Sequence, residues 1–135
     1  DLYDKQFDNN EYNATEYGAC CAQLPKEYSY VTIPWPPSEQ CQYLNVFTPP
    51  DSTPDSNLPI LVWIYGGGGN YGCSSQALPI IYNGSNLIGH AKNDKKVIVV
   101  TLNYRLDILS SLYLPELANE NMTYWNTSGN YGTLD

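Results

Sequence analysis

The stretch from Leu58 to Gly72, L-P-I-L-V-W-I-Y-G-G-G-G-N-Y-G, constrains the fold more than any other part of the chain. An apolar run, Ile60 to Ile64, ends abruptly in Tyr65 and the glycines Gly66 to Gly69. Ile60, Val62 and Ile64 are β-branched and Trp63 is aromatic, so the run reads as a buried strand bounded by Pro59 and by glycine. Glycines open backbone dihedrals closed to other residues and let the chain approach a ligand closely. Three readings of the loop follow. A flexible linker is the plainest, but linkers do not usually leave from the end of a buried strand. Gly67, Gly69 and Gly72 also satisfy G-x-G-x-x-G after a strand, the dinucleotide fingerprint. That fingerprint needs a helix opening at its last glycine, whereas Gly72 is followed by C-S-S-Q-A-L-P, which lacks helical periodicity and contains Pro79. The third reading is a rigid loop whose bare amides receive developing negative charge, as in an oxyanion hole.

Composition excludes several other classes. With 14 Asp and Glu against 6 Lys and Arg in 135 residues, the chain carries a formal charge of −8. It lacks the basic surface that phosphate contact requires, so no nucleic-acid partner is expected. No stretch approaches the ~18 apolar residues of a membrane span. No leader sequence is visible. Four N-x-S/T sequons, at Asn13, Asn83, Asn121 and Asn126, occur beside 4 cysteines. Together they point to a glycoprotein of the secretory pathway. Four cysteines allow three pairings. Cys20 and Cys21 are adjacent and adjacent cysteines seldom pair with each other, so each looks to Cys41 or Cys73.

Residues 1 to 40 are polar and irregular, with Pro25, Pro34, Pro36 and Pro37 around a packing residue, Trp35. Cys41 to Thr48 alternates Tyr43 and Asn45 against Leu44 and Val46, a half-buried strand. Pro49, Pro50, Asp51 and Pro54 end it, and an antiparallel pair with Ile60 to Tyr65 is the simplest arrangement. Ser85 is a plausible cap for a short helix over Asn86 to Lys92. Val97 to Leu102 does not alternate, which predicts a central strand covered on both faces, beside Ile60 to Ile64. Strands with an interposed helix make the class α/β.

Several segments, in order, resemble the type-B carboxylesterase and lipase family, which includes the cholinesterases. Asn13-Ala14-Thr15 with Gly18, Cys21 and Gln23 is similar to the start of its disulfide loop. Glu39 to Val46, E-Q-C-Q-Y-L-N-V, resembles E-D-C-L-Y-L-N-V. Trp63 to Gly68, W-I-Y-G-G-G, resembles the oxyanion segment in its Tyr form. Tyr82 to Leu87 resembles Y-x-G-x-x-L, Val99 to Leu106 resembles V-V-T-L-N-Y-R-L, and Gly129 to Asp135 resembles G-N-Y-G-L-L-D. The chain departs from the pattern at Gln40 (Asp in the family), Gln42 (Leu), Gly69 (an aromatic) and Asp107 (Gly). Ile108 to Leu112 lacks F-G-F-L.

The resemblance implies an α/β-hydrolase fold, a mixed and mostly parallel sheet covered by helices. Residues 1–135 would be the N-terminal-side portion of one such domain, incomplete at both ends. It implies a Cys21–Cys41 disulfide, with Cys20 and Cys73 either paired or free. It assigns the oxyanion amides to Gly67 and Gly68, with Gly66 and Tyr65 shaping the loop. The family nucleophile sits in G-x-S-x-G, which is absent from these residues, and the acid and base follow it. His90 lies upstream and reads as an exposed helix residue. The implied activity is serine ester hydrolysis on a small-molecule or lipid ester by a secreted protein, with no cofactor and no metal. This chain alone would be inactive and would need the remainder of its polypeptide, or a second chain. The alternative is a non-catalytic adhesion or recognition module on the same fold. The glycines favour the enzyme, while Gly69 and Asp107 favour the module.

Overall fold

The computed structural model describes residues 14–24, 32–33, 36–77, 80–89, 95–120 and 128–135. Trp35, His90 and the sequon residues Asn13, Asn121 and Asn126 lie outside them. Three strands form one sheet: β1 (Leu44–Phe47), β2 (Ile60–Trp63) and β3 (Ile98–Leu102). Short helices follow the pattern α1 (Gly84–Gly89), α2 (Asp107–Ser111), α3 (Pro115–Glu120) and α4 (Tyr131–Leu134).

The strand order is β1-β3-β2. β1 runs antiparallel to β3, with Asn45 opposite Thr101 and Phe47 opposite Val99. β2 runs parallel to β3, with Leu61 opposite Val99 and Trp63 opposite Thr101. The expected β1–β2 pair is therefore replaced: β3 inserts between them and takes the central position predicted for it. The reason is the crossover. After β2 the chain passes through the glycine loop and α1 and returns beside β2 in the same direction, as a parallel connection through a helix requires.

The period-two alternation of side chains sorts the sheet into two faces. Asn45, Phe47, Leu61, Trp63, Val99 and Thr101 share one face. α1 packs there, so closely that a Cβ on Gly84 would lie 2.4 Å from the Phe47 ring. Val99 and Thr101 are buried on this side. The other face carries Leu44, Val46, Ile60, Val62, Ile98, Val100 and Leu102, all apolar. Leu44 (64% exposed), Val46 (55%), Ile60 (63%) and Val62 (53%) stand open among the described residues. Three expectations are corrected here. The Ile60 to Ile64 run is an exposed edge strand rather than a buried one. In β1 it is Asn45 and Phe47, not Leu44 and Val46, that turn toward the packed side. The central strand is likewise covered on one face, with Ile98, Val100 and Leu102 half-buried on the other.

The helix before β3 is capped two residues earlier than expected. Asn83, not Ser85, is the capping residue: its Oδ1 accepts the Ser85 amide at 2.9 Å, satisfying one of the orphan donors of a first turn.

Most of the fully buried side chains among the described residues lie in the loop layer at the carboxyl ends of β2 and β3. Cys21, Cys41, Tyr65 and Leu106 form a buried cluster, with Tyr82 and Tyr104 against it. Cys21 is bonded to Cys41, and Cys20 to Cys73. The strand-like bridge between Cys21 and Ser38 sets the first segment against the second, through Ala22 N–H to Ser38 C=O (2.9 Å) and Ser38 N–H to Cys20 C=O (2.8 Å).

Candidate functional site

β2 delivers the chain into the loop at Tyr65, which is 2% exposed. Gly67, Gly68 and Gly69 then take positive φ values of 137°, 66° and 74°. At Gly67 this freedom is obligatory, because a Cβ there would stand 1.8 Å from the Tyr71 carbonyl oxygen. The Asn70 amide closes the turn on the Gly67 carbonyl at 3.2 Å. Gly66 and Gly68 are exposed, and a Cβ on either would meet nothing within 4 Å. Among the described residues, no acceptor takes the amide hydrogens of Gly67 and Gly68.

Three anchors hold this exposed strip. At its entrance, Tyr65 and Tyr104 stack with ring centroids 4.7 Å apart. The Tyr65 hydroxyl donates to the Tyr104 carbonyl (3.3 Å) and the Tyr104 hydroxyl donates to the Tyr65 carbonyl (3.2 Å). Burial raises the Tyr65 phenol well above its ordinary pKa, and burial raises Tyr104 too. Both hydroxyls therefore stay protonated and keep donating. In the middle, the Asp107 amide donates to the Gly69 carbonyl at 2.8 Å. At the exit, the Gln23 carboxamide binds both backbone groups of Gly72.

The middle anchor joins the two departures nearest the site. Asp107 has φ 53°, in the left-handed region, which Asp enters more readily than most non-glycine residues. It thus keeps a conformation for which glycine is the ordinary choice, and its amide meets Gly69, the other departure.

Behind the loop a polar network is buried. Asn103, 4% exposed, accepts the Ser74 amide (2.9 Å) and donates to the Ala19 carbonyl (3.0 Å). Asn45 donates to Ser74 Oγ and to Thr101 Oγ1, each at 3.0 Å. Gln76 Oε1 accepts the Cys73 amide at 2.9 Å. Arg105 fastens α4 below, with Nε 2.8 Å from the Asp135 carboxylate and its guanidinium 4.8 Å over the Tyr131 ring. Burial alone would raise the Asp135 carboxyl, but the bonds and charge of Arg105 outweigh it and hold it below the usual carboxylate range.

Of the residues expected from sequence, Gly66, Gly67 and Gly68 share this strip, and Cys21 and Cys41 lie bonded beneath it. Asn83, at the start of α1, is half-buried and apart from the loop. Gln23, Asn103 and Asp107 act here as supports that patterning did not single out. Gln23 stood only within a motif resemblance, Asn103 there and as a polar residue at the carboxyl end of the central strand, and Asp107 only as a departure. Among the described residues, no group of three or more His, Cys, Asp or Glu is placed to hold a metal ion. No described helix is long and apolar enough to cross a membrane. Chemically, the strip offers adjacent amide donors on a braced backbone, suited to an oxygen that gains negative charge.

The model of the carboxylesterase family matches residues 4–135. The para-nitrobenzyl esterase of Bacillus subtilis is 43% identical over 126 residues, which is 91% of this chain and 22% of that protein. The acetylcholinesterase of Danio rerio is 40% identical over 114 residues, 78% of this chain and 17% of its own length. The crystal structure of Aspergillus niger EstA superposes with a TM-score of 0.66 at 34% identity, covering 91% of this chain and 20% of that one. The chain thus spans about a fifth of the length of these relatives, and within that span its mixed sheet and helices are those of the α/β-hydrolase esterases. By sequence and by fold, the chain belongs to the carboxylesterase family.

Proposed function

We propose that the full-length protein is a secreted serine ester hydrolase and that this chain contributes its oxyanion loop. The observation that carries the reading is the braced pair of amides at Gly67 and Gly68, without acceptors among the described residues. A serine attacks the ester carbonyl, a histidine takes its proton, and an acidic residue orients the histidine. The Gly67 and Gly68 amides, with the amide after the serine, then stabilise the tetrahedral oxyanion. Nucleophile, acid and base come from outside these 135 residues, so the isolated chain hydrolyses no ester. The substrate is a small-molecule or lipid ester. The principal partner is the remainder of the polypeptide, or a second chain, and it covers the apolar face of the sheet. The two disulfides and four sequons support an extracellular location, with Asn13, Asn83, Asn121 and Asn126 as sugar acceptors.

The test is p-nitrophenyl ester turnover by the full-length protein and by Gly68→Ala. In this chain the added methyl meets open space, so the variant folds, at a cost of about 1–2 kcal/mol for an alanine in left-handed backbone. Tilting one donor amide should lower kcat ~10²–10³-fold. Equal kcat would remove Gly68 from the hole. No turnover by either protein would favour the second reading, a non-catalytic recognition module, for which Gly69 and Asp107 are the supporting departures.

A further inference from the structure

The Gln23 side chain is half-buried beside the two buried cysteines Cys20 and Cys21. It reaches across 49 residues of sequence to bind one glycine at two points. Oε1 accepts the Gly72 amide at 2.9 Å, and Nε2 donates to the Gly72 carbonyl at 2.9 Å. Nε2 also donates to the Cys21 carbonyl at 3.0 Å. Both N–H groups of the carboxamide are therefore used, and its orientation is fixed, since a flipped amide would set two donors against each other at Gly72. Gly72 has φ 129° and lies against Tyr65, where a Cβ would come within 2.4 Å of the ring. The next residue, Cys73, is bonded to Cys20.

The other two anchors, Tyr104 and Asp107, both come from the segment just after β3. They fix the entrance and middle of the loop to one body. Gln23 comes from the disulfide segment and fixes the exit to another. A single hydrogen bond leaves the chain free to rotate about it, whereas two bonds to opposite sides of one residue do not. Three successive glycines at positive φ have many alternative conformations, and only one direction of their amides serves a developing charge.

We propose that Gln23 is a positioning residue for the glycine loop: by clamping Gly72 it sets the direction in which the Gly67 and Gly68 amides point. The inference deepens the ester-hydrolase reading and rests on it for its kinetic consequence. Gln23 touches no reacting atom, so its removal acts on the transition state, where amide direction matters, and spares ground-state binding.

The experiment compares the full-length protein with Gln23→Leu, which keeps the bulk of the side chain and removes both bonds to Gly72 together with the one to the Cys21 carbonyl. Two readouts are taken: kcat and KM on a p-nitrophenyl ester, and hydrogen–deuterium exchange of the peptide spanning Tyr65 to Gly72. The expected result is a fall in kcat of ~10- to 10²-fold, the scale of a misdirected group, with KM within about twofold and faster exchange in that peptide alone. Unchanged kcat overturns the proposal whatever the exchange shows. Equal losses in expression, melting temperature and exchange throughout the molecule, with kcat intact per folded molecule, overturn it in favour of a purely structural role. If the wild-type protein turns over no ester, the hydrolase reading fails by itself. Exchange then decides the clamp: unchanged exchange in Gln23→Leu overturns it, and faster exchange confined to the loop sustains it.

Discussion

The open face of the sheet and the loop layer at its carboxyl ends are opposites. On the sheet, Ile60, Val62, Leu44 and Val46 are apolar and more than half exposed. In the loop layer Ser74, Ser75, Gln76 and Asn103 are polar and at most 5% exposed. The difference teaches that hydrophobicity shapes the strands, whereas the candidate site adds satisfied polar groups to the small buried cluster around Tyr65 and Leu106. The glycine strip is positioned by amide side chains, reciprocal tyrosine hydroxyls and two disulfides, all present within the described residues. Buried polar groups of this kind are costly unless satisfied, and here Asn45, Asn103 and Gln76 each have partners.

The largest effect that would break this contrast lies in the disulfides. Cys20 and Cys73 are 53 residues apart and Cys21 and Cys41 are 20 apart. Loop-closure entropy predicts losses of about 4 and about 3 kcal/mol when each pair is replaced by serines. Urea unfolding of the full-length variants measures both. A reversed order would show that local packing, not chain entropy, governs the layer. Next comes Asn103→Ala, which strands the Ser74 amide and the Ala19 carbonyl and should cost about 2–3 kcal/mol. A loss under about 0.5 kcal/mol would mean that the polar network is incidental. The smallest effect concerns the sheet. If the remainder of the polypeptide covers its open face, Val62→Thr should cost the full-length protein about 1 kcal/mol, for a hydroxyl placed in apolar surroundings. A change within about 0.5 kcal/mol would mean that this face stays in water.

How far the sequence was legible follows the same division. β3 was readable because five consecutive apolar or β-branched residues have few other uses. The order β1-β3-β2 was not, since a local run says nothing about which distant strand pairs with it. The burial of β2 was misread because apolarity reports what a strand requires, not what these residues supply. The glycine strip was plain from composition, and resemblance supplied the roles of Gly67 and Gly68. Its anchors were hidden. Gln23, Tyr104 and Asp107 each work through hydrogen bonds to distant backbone, and such contacts leave no periodic mark in a sequence.

The adjacency of Cys20 and Cys21 bears on how the molecule matures. Exchanging their partners would make one loop a single residue longer and the other a single residue shorter. Closure entropy grows so slowly with length that it cannot tell the two connectivities apart. The choice falls to the bridge at Ser38, where the Ala22 amide and the Cys20 carbonyl fix the register of the vicinal pair. Oxidation before that register forms would trap the swapped isomer as readily as the native one. Recovery would then proceed by thiol exchange, at the pace of an isomerase rather than of the chain.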